Sequence, residues 1–319
     1  MLKRILISLS KANWAKKLIT HWGFARRVVL RFVAGETLAD AVKVVKELNS
    51  AKIEATLDFL GENSENEAET IEATSRLMEV LDAIHQNHLR ANLSVKLSQV
   101  GLSIDEELCR RNLEKILLKA REYGLFVRMD MEDSPLTERT IATYEWAVQK
   151  GYTNTGIVLQ SYLYRTREDL QRLAKVHARV RLVKGAYQEP ATIAYPKKVD
   201  VDANYDRLAS MLLEISKDAG FPLASEDGIT PPIPAIATHA SRQIEAVIDQ
   251  ARLMQVPQRA MEFQMLYGIR QELQQSLVKQ GYPVRVYVPF GTHWYPYFMR
   301  RLAERPANLT FFLSSFLKR

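Results

Sequence analysis

Eight short runs rich in β-branched and aliphatic residues, each separated from the next by a stretch of helical period, constrain this chain more than any other feature. They are ATLDFL (55–60), NLSVKL (92–97), FVRMDM (126–131), TGIVLQSYL (155–163), VRLVKG (180–185), IPAIATH (233–239), MEFQML (261–266) and VRVYVPF (284–290). Strand runs alternating with amphipathic helical runs predict a parallel sheet built from βα units, and eight repeats predict a (β/α)8 TIM barrel. Several helical stretches close on a glycine, at Gly124, Gly151, Gly220 and Gly281, where a helix end favours the left-handed conformation. The rival architecture, an open doubly wound sheet, normally carries a glycine-rich phosphate turn after its first strand, and GxGxxG is absent. Residues 51–319 are therefore expected to form the barrel. Residues 1–50, with a helical segment near 36–50, are expected to form an N-terminal helical arm.

Charge separates the arm from the rest. Residues 1–31 carry eight Lys or Arg and no Asp or Glu, interleaved with Trp14, Trp22, Phe24 and aliphatics. That pattern suits either a solvated basic helix or a helix lying on an anionic membrane surface. The run ILISL, broken by Ser10 and Lys11, is too short for a signal-peptide core, and no run approaches the length of a spanning helix. Basic patches also bind nucleic acid, but no zinc-finger, RNP-like or Gly-rich basic motif accompanies this one, so no nucleic-acid partner is expected. The single cysteine, Cys109, excludes an internal disulfide framework and points to a reducing, cytoplasmic compartment; on the second reading of the arm, the protein would also make peripheral contact at the inner face of the membrane.

In such barrels chemistry gathers at the C-terminal ends of the strands. Glu62 follows the first strand, Lys96 closes the second, Asp130 and Glu132 the third and Gln160 the fourth. Arg181 and Lys184 lie along the fifth, Thr238 and His239 end the sixth, Gln264 and Leu266 the seventh, and Tyr287 lies on the eighth. Any one of these could be ordinary surface polarity, but their coincidence at one rim predicts a site. LDFLGE offers no His pair of the kind that opens a metal-hydrolase barrel, so no metal is expected. A Schiff-base lyase using Lys96 or Lys184 stays open as an alternative. The abundance of Lys and Arg favours an anionic ligand, a carboxylate substrate together with a phosphate-bearing cofactor. A last helix, WYPYFMRRLAE (294–304), places Arg300 beside Arg301 one turn after Tyr297. Adjacent side chains on a helix diverge by about 100°, so the doublet makes sense only over something that both can reach.

SVKLS (94–98), MDMED (129–133), LQSYL (159–163), RLVKGAY (181–187), ATHA (237–240), FQMLYG (263–268) and the closing WYPYFMRRLAE together resemble the proline dehydrogenases, in their compact single-function bacterial form. The resemblance implies a distorted (β/α)8 barrel that oxidises L-proline to 1-pyrroline-5-carboxylate, the first step of proline catabolism, with FAD as hydride acceptor and a membrane quinone as final acceptor. It implies that Met131, Gln160, Arg181, Lys184, Gly185, Ala186, Thr238 and His239 contact the flavin, with Asp130 and Arg181 as the catalytic pair. By the same resemblance Lys96, Arg300 and Arg301 hold the proline carboxylate, Leu266, Tyr287 and Tyr297 wall its ring, and Glu62 is a gate that pairs with the first arginine of the doublet. Arg181 would stabilise the reduced flavin, and Asp130 would orient Lys96 or a neighbouring arginine by ion pairing.

Overall fold

A computed structural model describes residues 30–61 and 63–304. Glu62 and most of the basic arm therefore lie outside the described residues. The eight strands are β1 (Glu54–Phe59), β2 (Ala91–Lys96), β3 (Val127–Asp130), β4 (Thr155–Gln160), β5 (Val180–Val183), β6 (Pro234–Ala237), β7 (Glu262–Leu266) and β8 (Val284–Phe290). All eight coincide with the sequence expectation to within three residues at either end. They pair in parallel and in chain order, and β8 closes on β1 with Thr56 opposite Tyr287.

Helix α1 (Leu38–Ser50) precedes the barrel, and Thr37 and Asp40 form a reciprocal capping box at its start. One helix follows each strand: α2 (Glu67–Gln86), α3 (Glu106–Glu122), α4 (Ser134–Gln149), α5 (Thr166–Ala174), α6 (Lys198–Asp218), α7 (Ser241–Leu253), α8 (Gln271–Lys279) and α9 (Trp294–Glu304). The four expected glycines all have positive φ; after α3, for example, Gly124 (φ 68°) lets Leu125 N–H return to the carbonyl of Ala120, a Schellman closure.

Along each strand the side chains alternate between two environments. Leu57, Leu93, Val95, Val127, Met129, Ile157, Leu182, Phe263, Val286 and their neighbours are buried in one continuous apolar layer shared with the helices. The other face points to the barrel axis and is polar and buried: Thr56 and Asp58 on β1, Asn92, Ser94 and Lys96 on β2, Arg128 and Asp130 on β3, Arg181 on β5, Glu262 and Gln264 on β7, Arg285 on β8. Barrels of this class usually fill that space with branched aliphatics. Here a hydrogen-bonded network fills it, which is possible because closure brings together donors and acceptors from strands far apart in sequence.

Candidate active site

Arg181 is the hub of that network. Its NH1 donates to Asp130 Oδ1 at 2.9 Å and to Ser94 Oγ at 3.2 Å, its Nε donates to Gln264 Oε1 at 2.6 Å, and its NH2 reaches Thr56 Oγ1 at 3.4 Å. Those partners stand on β3, β2, β7 and β1, so the guanidinium lies across the barrel axis with its rotamer fixed from several directions. Tyr287 donates its hydroxyl to Asp130 Oδ2 at 2.7 Å, and its ring lies 5.2 Å from the Arg181 guanidinium. Burial, reinforced by the Asp130 charge, holds the Tyr287 hydroxyl well above its ordinary pKa, so it remains a proton donor to the carboxylate.

A second ion pair stands beside the first. Lys96 Nζ meets Asp58 Oδ1 at 2.6 Å, with the two side chains only 7% and 1% exposed. Burial pushes the Asp58 carboxyl above its ordinary pKa, Lys96 pulls it back down, and the neighbouring Asp130 adds to the rise. Of the two partners expected for Asp130, Lys96 or a neighbouring arginine, the structure gives the arginine: Asp130 pairs with Arg181, and Lys96 meets Asp58. A reading of strand ends alone passes over Asp58, which stands inside β1 one residue before its end, and reaches Glu62 beyond it. The available signal was the alternation Glu54, Thr56, Asp58 in a strand whose intervening residues are apolar.

Above these pairs opens a cavity of about 650 Å³. Lys96, Asp130, Met131, Gln160, Arg181, Lys184, Gly185, Ala186, Thr238, His239, Leu266, Tyr287, Tyr297, Arg300 and Arg301 all line it, so every residue within the described part of the chain that the resemblance assigns to catalysis, cofactor or substrate faces one space. Glu132 does not: it turns aside to accept hydrogen bonds from the backbone N–H and hydroxyl of Ser98. Helix α9 contributes Tyr297, Arg300 and Arg301, and the doublet diverges as helical geometry requires. Arg300 lies 5.9 Å from the Tyr187 ring on the loop after β5, whereas Arg301 lies 5.2 Å from the Tyr297 ring one turn back.

The loop after β5 forms one flank of the cavity. Gly185 (φ 119°) takes a backbone conformation closed to other residues, and a Cβ there would overlap the Tyr162 ring. Next to it Lys184 Nζ meets Asp202 Oδ1 at 2.6 Å, and Lys198 pairs with the same carboxylate. Burial works against the Asp202 charge, but hydrogen bonds from the two lysines hold its pKa below the ordinary value. On the opposite flank His239 Nε2 accepts the backbone N–H of Leu266 at 3.0 Å, and Thr238 accepts the N–H of Ala240 at the start of α7. Gln160 donates to the carbonyl of Glu132 at 2.8 Å. Among the described residues no group of three or more His, Cys, Asp or Glu gathers as a metal-ligand set.

A closed parallel barrel whose strand C-termini and helix α9 enclose a cationic, partly apolar cavity is the architecture of a (β/α)8 enzyme. The chain belongs to the proline dehydrogenase family: the family model described as proline dehydrogenase matches residues 41–314. Over 319 residues the chain is 39% identical to proline dehydrogenase 1 of Bacillus subtilis, covering all of both chains. It is 39% identical over 301 residues to the proline dehydrogenase of Deinococcus radiodurans, covering 93% of this chain and 91% of that one. Among solved structures, proline utilization A from Bdellovibrio bacteriovorus, inactivated by N-propargylglycine, superposes with a TM-score of 0.78 at 27% identity. That match covers 88% of this chain but only 33% of the larger protein.

Proposed function

We propose that this chain oxidises L-proline to 1-pyrroline-5-carboxylate with FAD as hydride acceptor, passing the electrons to a quinone in the first step of proline catabolism. The observation that carries the reading is the cavity itself, where Lys96, Arg300 and Arg301 line a space adjoining the Arg181–Asp130–Tyr287 network, in a chain that matches the family model over residues 41–314.

The residues present fit the cofactor. Met131, Val158, Ala237 and Leu266 offer apolar surface for a flat ring system, while Gln160, Arg181, Lys184 and His239 offer polar atoms around it. Lys184 and Lys198, at the cavity edge beside Asp202, suit phosphate oxygens. A bound FAD would supply the two-electron acceptor that takes a hydride from the substrate.

The chain's own part is to hold proline and set its charge. Arg300 and Arg301 present planar guanidinium groups and Lys96 a point charge, so one carboxylate can be gripped from several directions. Clamping the carboxylate turns the opposite ring carbon beside nitrogen inward, and loss of hydride from that carbon gives the 1-pyrroline-5-carboxylate isomer. Tyr287, Tyr297 and Leu266 wall the ring and limit its tilt. Hydride loss requires a lone pair on nitrogen, so the amine must shed its extra proton to solvent first. Apart from Lys184 and Lys198, which Asp202 offsets, the cavity lining carries Lys96, Arg181, Arg300 and Arg301 against Asp58 and Asp130, and that excess of positive charge disfavours the ammonium form.

For a Schiff-base lyase, both candidate lysines would have to leave an ion pair before condensing with a carbonyl, Lys96 with Asp58 and Lys184 with Asp202. The visible spectrum of the purified protein, supplied with FAD, separates the two readings. Retained flavin absorbance supports the oxidase chemistry; a colourless protein that is covalently trapped with substrate by borohydride would replace it. Among the described residues no helix is long and apolar enough to cross a membrane.

A further inference from the structure

Beneath the cavity the network continues to the floor of the barrel. Glu262 and Arg285, each 1% exposed, form a two-point ion pair, with Arg285 Nε at 2.9 Å from Glu262 Oε1 and Arg285 NH2 at 3.0 Å from Glu262 Oε2. Arg285 is anchored further by donating to the carbonyls of Ala55 and Gly228. From Glu262 the path leads upward: Gln264 Nε2 donates to Glu262 Oε1 at 2.5 Å, and Gln264 Oε1 accepts from Arg181 Nε at 2.6 Å.

The orientation of the Gln264 amide follows from its neighbours. An arginine can only donate and an ionised carboxylate can only accept, so the amide oxygen must face Arg181 and its nitrogen must face Glu262. Glu262 Oε1 accepts from Arg285 Nε and Gln264 Nε2 at once, so a glutamine at 262 keeps both contacts by leaving its carbonyl in that place, whereas a methionine removes the acceptor altogether. Without that acceptor the Gln264 amide nitrogen has no carboxylate beneath it, and Arg181 Nε alone holds the amide. Loss of the carboxylate at the barrel floor thereby loosens the amide that holds Arg181.

We propose that Glu262 is a positioning residue for the redox site: held by Arg285, it fixes the amide direction of Gln264, and that amide in turn fixes the Arg181 guanidinium at the cavity. The inference rests on the flavin reading of that cavity. Glu262 is not a catalytic residue, since Gln264 and Arg181 lie between it and the cavity.

The test uses the full-length holoenzyme and measures flavin midpoint potential, flavin reduction by proline, and thermal stability in E262M, Q264M and E262M/Q264M. Q264M leaves the Glu262–Arg285 pair intact and stays informative if E262M folds poorly. Q264M is expected to lower the potential and to slow flavin reduction roughly tenfold or more, the loss of one hydrogen bond to a charged group, with little change in the Michaelis constant, and E262M is expected to shift both in the same direction. The double variant is expected to match Q264M, because Glu262 acts only through Gln264. Unchanged potentials, or effects that add in the double variant, would overturn the relay. Wild-type protein that binds no flavin would instead end the functional reading, so the two failures are distinguishable.

Discussion

Replacing Lys96 with methionine should destabilise the protein in a pH-dependent way, and the magnitude can be worked from the pair. At 2.6 Å and an effective dielectric of about 20, the Coulomb attraction between Lys96 and Asp58 is roughly 6 kcal/mol. Both groups have given up hydration to form it, so the net cost of deleting one partner is about 3–5 kcal/mol, as for other broken buried pairs. For 319 residues at roughly 2.1 cal/mol/K per residue, that corresponds to a fall of roughly 4–8 °C in Tm.

Proton linkage shapes the loss. Asp58 is already pushed up by burial, and removing Lys96 takes away the attraction that lowers it. A carboxyl with a raised folded-state pKa stabilises the fold while protonated, and that contribution is lost as pH climbs through the folded value. The deficit of K96M relative to wild type should therefore be small near the ordinary carboxylate pKa of 3.8 and widen as pH rises above it, by up to roughly 1.4 kcal/mol per pH unit. Thermal or urea denaturation across that range reads it directly. In D58N/K96M, which removes both charges, stability should return to within about 1 kcal/mol of wild type or exceed it. A deficit that is independent of pH, or that grows on acidification, would refute the assignment of Asp58 as the buried counter-ion.

Three further expectations are simpler. Arg301→Met removes one charge-assisted contact from the proposed carboxylate clamp and should raise the Michaelis constant for proline roughly ten- to a hundredfold, read from initial rates. Gly185→Ala places a methyl group into the Tyr162 ring at a φ of 119°, costing about 1–3 kcal/mol; a lowered Tm and reduced flavin content after purification would register it. Cys109 is buried and its thiol is pushed up to about 12, by burial first, so alkylating reagents at neutral pH should leave it unmodified in the native protein and label it after denaturation.

Much of the architecture was legible because it is written locally. Strand runs such as VRVYVPF and IPAIATH, and the glycines that close α3, α4, α6 and α8, need only near neighbours in sequence to declare themselves. The rim residues were legible for a related reason: once eight strands are aligned, their C-terminal ends are fixed. What sequence could not display is pairing across the barrel. Lys96 meets Asp58 at a separation of 38 residues, Arg181 meets Asp130 at 51, and Tyr287 meets Asp130 at 157. Asp130 could be chosen as important, but whether it held Lys96 or Arg181 depended on register and rotamer. The Glu262–Gln264–Arg181 path lay hidden for a second reason. Polar residues alternating with apolar ones ordinarily mark a strand with one wet face, and only closure of the barrel turns that face into a dry interior.

In the proposed reaction proline delivers hydride to a flavin held at the mouth of this barrel. Anaerobic titration of the purified, FAD-supplied protein with L-proline, followed in the visible spectrum with the product analysed, tests it most directly. Bleaching of the flavin with matching formation of 1-pyrroline-5-carboxylate, and recovery of colour on adding a soluble quinone, is the predicted result. A protein that takes up no flavin, or whose flavin spectrum is unmoved by proline, would contradict it.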